Sequence, residues 1–344
     1  MKSLSLKLTI ILLLVITTVS AQNFKNASDY LEFVAKEQKT ITQSMWRYTK
    51  AVAHNKNDRS INNKRKNLIK SIDRAILRIK KAKSYDGDSY KNQVLEHLNF
   101  NKNLLNQDYA KIIDMKAVAE QSYDLMEAYI LAQEFANKKM EESQKNYERN
   151  FHDYAAKHRI EIIENESDLG KKIDISNDVF AHYNDLYLIY FKVYINEVYL
   201  WEAVKVNDVS AIQQNANALN VAAKEGLDIL KTIPSYKNDD SILLATQKVF
   251  EFFIDESKHQ VPVITEFLIL NEDFERIKVL LDQTPEHTRT QVQIDNYNRK
   301  VKDINKAADH YNKVNTNLNE QRQKIINDLY ATNANFLSKH IPKD

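Results

Sequence analysis

The sequence predicts an all-α protein built as two tandem, duplicated helical-bundle units with long heptad-patterned closing helices. Three observations carry that reading. Gly87, Gly170 and Gly226 and the prolines Pro234, Pro262, Pro285 and Pro342 are the only strong breakers in 344 residues, far fewer than a turn-dense β architecture needs. Charged residues make up 28% of the chain, and apolar residues recur every three or four positions, the period of an amphipathic helix. Sliding the chain on itself by about 150 residues brings two loops of like composition into register, Ser84-Tyr85-Asp86-Gly87-Asp88-Ser89 and Ser235-Tyr236-Lys237-Asn238-Asp239-Asp240-Ser241, as a duplicated unit that keeps its turn chemistry would.

The first element is a leader over residues 1–21. Lys2 and Lys7 precede an apolar run from Leu8 to Val19, and Val19-Ser20-Ala21 supplies the small residues of a cleavage site, so the mature chain is expected to start at Gln22. The run is shorter than the ~20 apolar residues a spanning helix needs. The chain contains no cysteine, which excludes a lipid-modified cysteine and any disulfide framework. The expected location is outside the cytoplasm: periplasm, cell surface or medium. Removing Lys2 and Lys7 from the 49 basic residues leaves 47 against 47 acids. A neutral protein without zinc-finger, RNP or Gly-rich phosphate motifs is a poor nucleic-acid binder.

Unit 1 is expected over 22–168, a linker over 169–176 and unit 2 over 177–344. Each unit opens with a helix (28–55; 177–206), continues with a second (58–83; 208–232), turns at its Ser-Tyr loop and begins a third helix at Asp88-Ser89 or Asp240-Ser241, an Asp/Ser cap. From Ser89 to Leu169 there is no glycine or proline. Turns are therefore expected among the Asn and Asp residues near 101–114 or 133–138, unless one very long helix runs through. Pro262 and Thr284-Pro285 supply breaks in unit 2. The closing segment steps by four and three through Tyr297, Val301, Ile304, Ala308, Tyr311, Asn315, Leu318, Arg322, Ile325, Leu329, Thr332 and Phe336, and Met140, Gln144, Tyr147, Phe151 and Tyr154 repeat the pattern in unit 1. Such heptads form either a seam inside a bundle or a dimeric coiled coil with Asn315 and Arg322 setting the register.

The most charged element is residues 56–83, with eleven bases against Asp58 and Asp73. Ile61, Leu68, Ile72, Ile76 and Ile79 share one face, and Lys66, Lys70, Arg74, Arg78 and Lys81 the other. These five are the candidate binding residues. Like charges four apart repel, so an offsetting partner is expected. The functional reading is an anionic envelope component (lipid head group, lipopolysaccharide, acidic glycan) or a protein partner. The structural reading is neutralisation by residues 114–168, which hold thirteen acids against seven bases.

Residues 179–206 are the most aromatic, with Phe180, Tyr187, Phe191, Tyr194, Val198 and Trp201 in one stripe and Ile189, Val193 and Leu200 opposite. A helix apolar nearly all round is buried on both sides, which places it between the units. A ligand platform for flat molecules or sugars is the alternative. Glu256 and His259 form the single Glu-x-x-His; a di-metal bundle needs two such pairs and two more glutamates, so no metal or other cofactor is expected. No Gly-x-Ser-x-Gly elbow or phosphate loop is present. The expected protein is a non-enzymatic exported interaction protein. Its alternatives are a membrane-active bundle that opens to expose 179–206, and a metal-dependent bundle enzyme.

Tyr183-Asn184, Leu186 to Lys192 and Ala203-Val204 together resemble a signature of a family of uncharacterised exported surface proteins from bacteria with outer membranes. Tyr154-Ala155-Ala156-Lys157-His158-Arg159-Ile160 is similar to that family's aromatic-Ala-Lys-Lys-His-Asn-Ile element, departing from it at Ala156 and Arg159. The resemblance implies an all-helical exported protein and assigns no catalytic residue.

Overall fold

The computed structural model describes residues 24–54, 57–162 and 168–343. The leader over 1–21 lies outside the described residues. The first half holds helices α1 (Ala27–His54), α2 (Asp58–Lys81), α3 (Ser89–Ala119) and α4 (Tyr123–Lys157). The second half holds α5 (Asp168–Lys205), α6 (Val209–Leu230), α7 (Ser241–Asp255), α8 (Val261–Gln283) and α9 (Gln291–His340). No strand occurs among the described residues, and the fold is all-α.

In α1, Tyr30, Val34 and Ile41 are buried at helical spacing. The Asn57 side chain then accepts hydrogen bonds from the backbone N–H groups of Arg59 and Ser60, starting α2. Leu68, Ile72, Ala75, Ile76 and Ile79 bury the inner face of α2 against α1 and α3. Gly87 turns the following loop at φ +66°, a conformation that costs glycine least. The expected caps Asp88 and Asp240 do precede α3 and α7, but neither side chain bonds its own helix. Each instead accepts a hydrogen bond from the serine that opens its loop, Ser84 or Ser235.

The long unpunctuated stretch breaks at neither expected window. Residues 101–114 and 133–138 are helix interior; among the described residues the chain turns instead at Glu120–Ser122, and again at His158–Arg159 after α4. Ser122 accepts from the Leu125 backbone N–H at 3.3 Å, so one serine cap does the work that the Asn-rich windows suggested for themselves. The linker expected over 169–176 is likewise helical, the opening turns of α5. Ser176 is fully buried there, with its hydroxyl bonded back to the Lys172 carbonyl at 2.7 Å, so this polar stretch packs as helix rather than spacing two units.

A π turn, Glu256–Gln260, joins α7 to α8 just before Pro262. Proline cannot donate to the carbonyl four residues back, and one wide turn absorbs the missing bond without ending the helix. Thr284-Pro285 does end α8, as expected, and a capping box of Thr290 and Gln293 starts α9. The closing heptads are an intramolecular seam: Ile304, Leu318, Leu329 and Phe336 are buried within the chain, and α9 packs in turn on α8, α7, α5 and α1.

Each half has its own core, but the halves are joined. Tyr30, Leu31, Leu68, Ile72, Tyr90, Leu98, Tyr147 and Tyr154 centre the first. The second gathers Val179, Tyr190, Leu200, Leu219, Phe250, Phe253 and Phe336, and it also takes in Trp46 from α1. A smaller cluster sets Ala119, Met126 and Ile130, at the α3–α4 turn, against Phe191 and Ile195 of α5. Helix α5 is thus buried on several sides and forms the junction, as its aromatic, all-round apolar sequence predicts.

Gly226 sits where α6 passes close to Phe250 of α7 and Val193 of α5. A Cβ there would lie 2.6 Å from the Phe250 ring and 3.1 Å from Val193, and the Phe250 ring is itself fully buried. Alanine would gain about 1 kcal/mol of helix propensity yet force overpacking that costs about 1–3 kcal/mol. Gly226→Ala is therefore expected to lower the urea midpoint of unfolding, whereas an exposed-site Gly→Ala in a helix would raise it.

Candidate functional site

The structure brings all five predicted basic residues to one exposed ridge on α2: Lys66, Lys70, Arg74, Arg78 and Lys81. From Lys66 to Lys81 this ridge runs about 22 Å at the helical rise. Leu77, 58% exposed, sits within it. Among the described residues of 114–168 no acid pairs with these five, because α2 lies beside α1 and α3 and its backbone does not adjoin that of α4. Arg78 alone is tied down, to the buried carboxylate of Glu37 at 3.0 Å. Among the described residues, Lys66, Lys70, Arg74 and Lys81 have no carboxylate within ion-pair distance. Other bases of the segment serve the fold: Arg65 donates to the Leu105 carbonyl at 2.6 Å, and Asp73 is paired with Lys102 of α3. The bases of the last turn also complement the helix dipole, but Lys66, Lys70 and Arg74 lie too far upstream for that to account for them.

A second polar cluster lies inside the second half. Arg322 of α9 reaches two buried glutamates, its Nε 2.5 Å from Glu197 Oε1 of α5 and its Nη2 bonded to Glu256 Oε1 in the π turn. The first contact is an ion pair and not an aligned hydrogen bond. Trp201 Nε1 donates to the same Glu256 oxygen at 3.0 Å, and the guanidinium stacks 3.9 Å from the Trp201 ring centroid. Glu256 is fully buried, and its Oε2 meets no protein hydrogen-bond donor among the described residues. Burial, together with repulsion from Glu256, pushes the Glu197 carboxyl up to about 7 despite Arg322. Burial raises Glu256 as well, against the pull of Arg322 and Trp201. Two acids and one guanidinium in a dry site hold one proton more readily than two full negative charges.

The two Ser-Tyr loops are held by matching contacts. Asp86 pairs with Lys157 and His158 at the end of α4, and Asp239 with Lys339 and His340 at the end of α9. The His158 ring meets Tyr85 and Tyr154, and the His340 ring meets Tyr236 and Phe336. The Lys157 ammonium holds the Asp86 carboxyl below its usual range, and the Lys339 ammonium and Ser241 hold Asp239 far below it. Each closing helix is thereby latched to the loop that begins the third helix of its own half.

Glu256 and His259 do not converge. The wide π turn aims Glu256 into the core, while His259 is exposed and bonded to Asp255 at 2.8 Å. No group of three or more potential metal ligands occurs among the described residues, and none of the described helices is long and apolar enough to cross a membrane. The sequence signals for the buried acid pair were Arg322 at a heptad position and Trp201 in the aromatic stripe. What the sequence did not reveal was Glu197, a buried acid within the aromatic stretch of α5. No family model, curated protein or solved structure matches this chain.

Proposed function

We propose that this chain is an exported, non-enzymatic interaction protein that adheres to a phosphate-bearing anionic surface of the cell envelope through the ridge of α2. The observation that carries the reading is a line of cations in which only Arg78 meets an acid among the described residues. A charged row that the fold leaves without counter-charge is costly unless an external anion is near. The apolar face of α2 is buried in the first core, so the helix adsorbs by charge and does not insert as an interfacial amphipathic helix would. The matched latches of the two halves support descent from a duplicated unit, with the basic ridge belonging to the first copy alone.

Binding to phosphatidylglycerol vesicles and to phosphatidylcholine vesicles tests the proposal, with a variant carrying Lys66→Glu, Lys70→Glu, Arg74→Glu and Lys81→Glu. Arg78 is kept because its loss would strand buried Glu37. Near an anionic surface each base contributes about 1 kcal/mol, so the variant is expected to bind at least ~100-fold more weakly and the parent to be released by salt. Trapped dye should stay inside. Equal binding to both lipids, or no loss in the variant, would remove the ridge from the function; dye release would favour the membrane-active alternative.

A further inference from the structure

We propose that the α8–α9 hairpin is a dimerisation arm whose partner is the same arm of a second copy of this chain. This inference stands apart from the role of α2. In α8 the last buried side chain is Thr265, and in α9 from Gln291 to Asn317 only Ile304 is buried. The remainder of α8, residues 266–283, spans about 27 Å at the helical rise. It is held to α9 by one inner seam, in which Phe267 stacks on Tyr311 at 4.5 Å and Phe274 on Tyr297 at 5.8 Å, flanked by the Lys300–Asp273 pair. Outside the seam Ile269, Val279, Leu280, Val292 and Ile294 stand exposed, Leu280 at 60% and Val292 at 77%.

The equivalent hairpin of the first half ends differently. The α3–α4 turn presses Ala119, Met126 and Ile130 onto α5, whereas α8 touches only α9, the π turn and α6. A two-helix arm with so little core gains stability from packing on another surface.

Charge selects a second copy as that surface. Residues 266–283 carry five acids against two bases, and residues 291–313 carry five bases against three acids. Two arms laid side by side about a two-fold axis put each acidic α8 against the partner's basic α9, and the contact is made twice. An arm about 27 Å long and roughly two helix diameters wide offers a face on the order of 500 Å² per copy. The total of about 1,000 Å² is where specific interfaces begin.

Sedimentation velocity of the mature chain across a micromolar concentration series is expected to show a monomer–dimer equilibrium. Leu280→Asp with Val292→Asp, both at exposed positions, should weaken it by at least ~30-fold while the helical circular dichroism and thermal midpoint stay unchanged. Glu272→Lys with Glu275→Lys should weaken it by about tenfold, as should Arg299→Glu with Lys302→Glu, and all four in one chain should restore it. A monomer at every concentration would overturn the proposal. So would a dimer indifferent to the tip substitutions, or one that the fourfold swap fails to restore.

Discussion

Replacing Arg322 by methionine is expected to destabilise the protein by about 3–5 kcal/mol at pH 7.5, the cost of breaking a buried ion pair from one side. Methionine fills much of the arginine stem's volume, so the loss is electrostatic rather than a cavity. Glu197 and Glu256 would then face each other in the core, with Trp201 Nε1 as the remaining donor to Glu256 among the partners described for it. Protonating both acids relieves the repulsion, so the variant should recover much of its stability as pH falls toward 5. Denaturant unfolding at several pH values measures this. Adding Glu197→Leu and Glu256→Leu to Arg322→Met should restore most of the loss at pH 7.5, because buried ion clusters are often replaceable by apolar side chains of like size. A variant as stable as the parent would mean that the glutamates find water, and that the cluster is not a dry core element.

The pH dependence of the parent is the second large effect. The folded Glu197 carboxyl keeps its proton up to about 7, while an unfolded glutamate loses it near 4.3. Between those values the folded state binds more protons, so this group's contribution is full below the unfolded value and is lost as pH rises through about 7. His97 works in the opposite direction. Burial lowers its folded value to about 4, so its contribution is present above the unfolded value of about 6.5 and is lost as pH falls. The two partly cancel between about pH 4.5 and 6.5. From pH 6.5 to 8 the Glu197 effect prevails, and unfolding free energy should decline by on the order of 0.5 kcal/mol. Glu197→Gln should flatten the curve in that window and, by removing the opposing effect, steepen the gain in stability with pH that His97 gives between about 4.5 and 6.5. A decline that survives the substitution would assign it to another group.

Much of the fold is legible in the sequence because it is local. The boundaries of α1, α2 and α6 and the end of α5 follow from apolar spacing and the short polar loops between them, where Asn57 and Asp208 each bond backbone N–H groups within three residues, whereas the start of α5 lies at Asp168 and not at the expected 177. The five-residue basic ridge is legible for the same reason, since one helix sets both its buried and its exposed face. The break between α3 and α4 was not, because Ser122 is a weak signal beside the Asn-rich stretches on either side, where Asn99 turns back to the Leu95 carbonyl of its own helix and Asn137 accepts from the Tyr109 hydroxyl of α3.

By itself, then, the sequence determined helicity, helix faces and the like charge along α2, all properties of residues within a few turns of each other. Tertiary structure decided what meets those faces. It placed α1 and α3, not α4, beside α2 and so, among the described residues, left four of the five cations without the acids expected to offset them. It turned the heptads of α9 inward and made Arg322 a buried counter-charge rather than a register residue between chains. It also brought Glu197, 59 residues from Glu256 along the chain, to the same guanidinium. Pairings across such separations depend on how helices cross, and no local period encodes a crossing.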